Sequence, residues 1–156
     1  MEFIKKDISD GIEVVGVPVN RFKTNLITVS IALKLEKDKV SANSVMLGLL
    51  ARRGKKYPNM LSLNRKLASL YGATLNDTVS KIGECQVLSL SATCLNDKFS
   101  LDGESIAFEC VKLLSSLIFS NLSCFPSSSS FIHLPRLPQL NPLNLRPGST
   151  LVLQHS

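Results

Sequence analysis

The sequence predicts an α+β fold, a two-layer domain with a largely antiparallel sheet and helices packed on one face. Two observations carry that expectation. Strand-like alternation and helix-like spacing succeed each other in the order strand, strand, helix, helix, strand, strand, helix. The strands therefore come in consecutive pairs, with no regular strand–helix alternation of the kind that builds a parallel sheet. A third observation sets the limits of that domain. Composition changes near residue 120, dividing a body (1–120) from a Pro-, Ser- and Leu-rich tail (121–156).

Glu13 to Val19 is short and rich in β-branched residues, with Pro18 near its end, so it reads as a strand. Arg21 to Asn25 is a polar connector. Leu26 to Leu35 alternates, with Ile27, Val29 and Ile31 on one face and Thr28, Ser30 and Ala32 on the other, as a half-buried strand requires. A charged turn, Lys34 to Lys39, precedes a helix capped by Ser41 and running to about Arg52. Its expected apolar stripe is Val45, Met46, Leu49 and Leu50, and Gly54 is the expected stop.

Asn59 after Pro58 predicts a second helix to about Tyr71, with Leu63, Leu67, Leu70 and Tyr71 inward and Asn64, Arg65 and Lys66 outward. Gly72 is expected to end it in the left-handed conformation. A hairpin follows, Ala73 to Lys81 pairing with Glu84 to Thr93 across Ile82-Gly83. Asp102 or Ser105 then opens a third helix, whose broad apolar face includes Ile106, Cys110, Leu114 and Leu117.

In the tail, Pro recurs too often for a helix and removes the ladder donors a strand would need, so 121–156 is expected to be irregular or disordered. All 12 acidic residues precede it, and both histidines, His133 and His155, lie within it. So sharp a break is what a shifted reading frame or a misjoined coding end would leave.

The chain has 156 residues, room for one domain with a real core. No apolar run approaches the roughly 20 residues needed to cross a bilayer. The N-terminus is interrupted by charge and has no secretory core, so a cytoplasmic location is expected. Cys85, Cys94, Cys110 and Cys124 show no C-x-x-C spacing and read as free thiols in a reducing compartment. The net charge of +6 is scattered apart from Arg52, Arg53, Lys55 and Lys56, and with no Trp and 2 Tyr there is little to stack on bases. Neither nucleic acid nor membrane is an expected partner.

The segments with most character are the turn Gly54, Lys56, Tyr57, Pro58, the block from Leu63 through Leu67 and Leu70 to Tyr71-Gly72-Ala73, and the RFKTN stretch entering the long strand. Over roughly residues 12–120 these resemble the N-terminal domain of the pitrilysin/insulinase zinc peptidases. In active members a helix before the K-Y-P turn carries H-x-x-E-H, two zinc-binding histidines and a glutamate base. The matching positions here read Ser44-Val45-Met46-Leu47-Gly48. Serine, leucine and glycine stand where the imidazoles and the base belong, and the family's third ligand, a downstream glutamate, would fall around or beyond residue 120, where no Asp or Glu exists.

The resemblance therefore implies no catalytic residue, no metal ligand, no cofactor and no enzyme activity, although active relatives use zinc. It implies a catalytically silent partner, or peptide-binding half, of an active zinc-peptidase subunit. Arg52, Arg53, Lys55 and Lys56 are the expected partner surface, and peptide would pair with an exposed sheet edge. Competing expectations are a truncated fragment with no function of its own, and an active zinc metallopeptidase.

Overall fold

In the computed structural model, the described residues are 4–9, 12–18, 22–101, 103–119 and 152–154. They form six strands, β1 (Ile4–Ser9), β2 (Ile12–Gly16), β3 (Thr24–Lys34), β4 (Thr74–Ile82), β5 (Cys85–Leu95) and β6 (Val152–Gln154). Three helices accompany them, α1 (Lys37–Leu50), α2 (Met60–Ser69) and α3 (Ile106–Phe119). The sheet order is β1-β2-β6-β3-β5-β4. Each adjacent pair is antiparallel except β3 with β6, so the α+β, largely antiparallel expectation holds.

The centre is the β3–β5 ladder, in register from Thr24 opposite Leu95 to Lys34 opposite Cys85. Alternation puts Ile27 and Val29 of β3, and Leu88, Leu90, Ala92 and Cys94 of β5, on the helix-covered face. There they meet Ile106, Cys110, Leu113, Leu114 and Leu117 of α3, all at most 2 % exposed. The opposite face is a field of hydroxyls, with Ser30 and Ser89 hydrogen-bonded across the ladder at 2.8 Å between Thr28, Ser91 and Thr93.

Asn59 caps α2 as expected, its Oδ1 accepting from Ser62 N at 2.8 Å. α3 is capped from a distance. Asp97, in the single 3-10 turn after β5, accepts Ala107 N on Oδ1 at 3.0 Å and the Ser105 hydroxyl on Oδ2 at 2.9 Å. The β4–β5 hairpin turns at Gly83-Glu84, one residue later than Ile82-Gly83, because Ile82 still pairs with Cys85. Gly83 has φ +59, the conformation a two-residue hairpin asks of its first loop position.

Several expectations need correction. β2 covers Ile12–Gly16, not Glu13–Val19, and β1 was not foreseen because IKKDIS has too few apolar residues to show alternation. The charged turn at Lys34–Lys39 is half helix. α1 starts at Lys37 with Glu36 as its cap residue and Ser41 inside it, and Glu36 pairs with Lys39 at 2.8 Å. Val45 and Leu49 are exposed, whereas Leu47 and Leu50 face the core. Tyr71 is 37 % exposed because the backbone turns left-handed there, at φ +57, one residue before Gly72 at φ +74. Residue 120 and, of the tail, 121–151 and 155–156 lie outside the described residues, His133, His155 and Cys124 among them; Val152–Gln154 is a strand that pairs between β2 and β3.

Candidate functional site

The segment Ser44–Gly48 lies in the middle of α1, which packs on β5 and β4 just before the Tyr57 turn. Ser44 is tied down on both sides. Its hydroxyl donates to Val40 O at 2.8 Å and accepts from Gln86 Nε2 at 3.2 Å. Gln86 Nε2 also donates to Val40 O at 3.0 Å, while its Oε1 accepts from Asn43 Nδ2 at 3.0 Å. Gln86 is 2 % exposed, so this amide replaces water for one turn of α1.

Leu47 points into the core, at 4 % exposure. Gly48 faces β4, where a Cβ added to it would meet Asp77 Oδ2 at 3.9 Å, an ordinary contact. The five positions thus offer one neutral hydroxyl already engaged twice, aliphatic groups and bare backbone. Zinc wants imidazole, thiolate or carboxylate donors, and this donor set does not fit it. Among the described residues no three His, Cys, Asp or Glu side chains gather to hold a metal ion.

β4 runs beside this segment as the outer strand of the sheet. Eight of its nine residues, all but Leu75, are exposed, and among the described residues no strand pairs with its far edge. Its helix-side residues are Leu75, Asp77, Val79 and Lys81, so Asp77 stands between the open edge and Gly48.

Arg52, Arg53, Lys55 and Lys56 are all exposed, on the turn that follows α1. That turn is closed by a reciprocal pair of backbone bonds, Gly54 N to Tyr57 O at 2.8 Å and Tyr57 N to Gly54 O at 2.9 Å. Tyr57 is buried against the core and Lys56 Nζ sits 5.9 Å from its ring centroid. The four cations are thus held on a rigid turn beside α1, and none of them forms an ion pair with a described residue.

Known proteins resemble this chain in part. The chain is 28% identical over 104 residues to a Bacillus subtilis (strain 168) protein named "Probable inactive metalloprotease YmfF". It is similar to an inactive metalloprotease. The match covers 67% of this chain and 24% of the relative. A solved structure of a conserved protein from Enterococcus faecalis V583 superposes with a TM-score of 0.72 at 25% identity, over 76% of this chain and 28% of that one. The chain thus spans about a quarter of the length of each protein it matches. No family model matches it.

Three participants escaped sequence reasoning: Asn43, Gln86 and Asp77. Gln86 had a legible signal, because it falls in phase with Leu88, Leu90 and Ala92 on the buried side of β5. A polar residue in that phase must find partners. Asp77 had none, since its relation to Gly48 exists only after α1 has docked. Among the described residues no helix is long and apolar enough to cross a membrane.

Proposed function

We propose that this chain is a catalytically silent pitrilysin/insulinase-type domain that binds peptide or completes an active zinc-peptidase partner. One observation carries the reading: Ser44, Leu47 and Gly48, which the resemblance matches to the motif positions, lie on a helix docked beside an open strand edge. The name of the Bacillus subtilis relative supports the silent half of it. The peptide-binding half rests on β4, whose free backbone groups can take up an extended peptide as a further strand. Asp77, beside that edge, adds a negative charge for a basic side chain of the peptide.

On the partner side, Arg52, Arg53, Lys55 and Lys56 form a cationic turn suited to an acidic surface on the active subunit. The reading includes a cytoplasmic location and neither a nucleic-acid nor a membrane partner. Co-expression with an H-x-x-E-H homologue, followed by size-exclusion chromatography and zinc analysis, tests it. A stable complex with zinc only in the homologue is the expected result. Stoichiometric zinc in this chain alone would overturn silence, and a chain that never associates and whose β4 amides ignore added peptide would overturn the rest.

A further inference from the structure

We propose that the gap between β2 and β3 is a strand-accepting site, in which an extended peptide from a partner chain takes the place of Val152–Gln154. The site is separate from the β4 edge and lies on the other side of the β3–β5 ladder. Its form is read from the segment already seated in it. β6 runs antiparallel to β2, with Val14 opposite Leu153, and parallel to β3, with Val29 opposite Leu153. An occupant thus pairs along both of its edges, whereas a strand added to β4 pairs along one.

The seated segment is much shorter than its seat. β3 pairs with β5 at every residue from Thr24 to Lys34, but with β6 only at Thr28 and Val29. From Ser30 to Leu33 no described strand pairs with that edge of β3. The core-facing residues agree. Ile27 and Val29 are buried, whereas Ile31 and Leu33, in the same phase, are only partly covered. Among the described strands β2 and β3 share no rung, so the β1–β2 hairpin joins the sheet through β6. β6 therefore holds a place that a longer strand would fill.

The walls define what fits. Asn25 to Leu33 carries no charge, and Glu13 of β2 is already paired with Lys5 at 2.9 Å. A charge in the middle of the occupant would lose its water without gaining a partner. Apolar residues belong beside Val29 and Ile31, and small hydroxyl residues beside Ser30 and Ala32 on the opposite face. Because the occupant runs parallel to β3, its C-terminal end arrives at Lys34, which is exposed and in no ion pair with a described residue. The partner that fits is an extended segment alternating apolar and hydroxyl residues, with an acidic C-terminal end.

A nine-residue synthetic peptide that alternates valine and threonine and ends in glutamate is the probe, with amide exchange as the readout. It is titrated into the full-length chain and into a Leu153→Pro variant, which removes a backbone donor from β6. In both, bound peptide should slow exchange at Ser30 to Leu33 by about tenfold or more. The variant should bind about tenfold more tightly, because the intact chain must first release its own strand. A peptide with proline at its centre should bind neither. Should Leu153→Pro fail to fold by circular dichroism, the intact chain decides: exchange should quicken at Val152–Gln154 as it slows at Ser30 to Leu33. Protection confined to β4, or equal affinity of two folded chains, would overturn the proposal. So would dimers of the intact chain that Leu153→Pro abolishes, since the site would then belong to a second copy.

Discussion

The Gln86 side chain reaches from β5 to the Ser44 hydroxyl on α1, 3.2 Å away, and takes in the Val40 carbonyl on the same reach. A strand residue thereby completes the hydrogen bonding of one turn of a helix.

Gln86→Ala should therefore destabilise the chain by about 1–3 kcal/mol in urea denaturation, since it strips partners from Asn43 and Ser44 inside the protein. Ser44→Ala removes one hydroxyl and leaves Gln86 bonded to Val40 and Asn43. Its loss should be about 1 kcal/mol or less. Equal losses for the two variants would contradict the hub role of Gln86.

Asp97 joins the end of β5 to the first turn of α3 through Ala107 N and the Ser105 hydroxyl. Asp97→Ala should cost about 1–2 kcal/mol, and Asp97→Asn, which keeps one acceptor oxygen, distinctly less. Amide exchange should quicken first at the N-terminal turn of α3.

Glu109 receives Lys112 at 2.8 Å and Lys66 at 3.1 Å, and these hydrogen bonds lower its carboxyl from the ordinary 4.5. Because the folded value is the lower one, the contribution to stability is present above 4.5 and is lost as pH falls through the folded value. The group is a third exposed, so the amplitude is about 1 kcal/mol at most. Glu109→Gln should remove that acid-side slope from a stability–pH profile while leaving the profile above pH ~6 flat in this respect.

Two glycines should respond with opposite signs to the same substitution. Gly72 has φ +74 and open space around its Cβ position, so Gly72→Ala is penalised by the backbone alone, by about 1 kcal/mol. Gly48 is inside α1, and its added Cβ meets only Asp77 Oδ2 at ordinary distance. Gly48→Ala should stabilise by about 0.5–1 kcal/mol. Thermal melts of both variants decide the point.

Where periodicity is clean, residues announce their places. Ile27 and Val29 in β3, Asn59 before α2 and the apolar face of α3 were all readable, because each segment has one covered side and one wet side. α1 was not, since Val45, Met46, Leu47, Leu49 and Leu50 crowd nearly every direction around the helix. Only docking against β5 and β4 decides that Leu47 goes in and Val45 stays out. The partner of Ser44 was not legible either, because the amide that reaches it comes from a strand some forty residues on.

The long β3–β5 register has a consequence for biosynthesis. Its rungs run from Lys34–Cys85 to Thr24–Leu95, so β3 leaves the ribosome well before the strand it needs. Until then Ile27 and Val29 are an unshielded aliphatic ribbon, the sort of segment holdase chaperones grip. The β4–β5 hairpin is local and can form quickly, whereas annealing β3 to it closes a large loop and is the slow step. Nascent chains stalled before Cys85 should consequently be the ones that clump or are degraded.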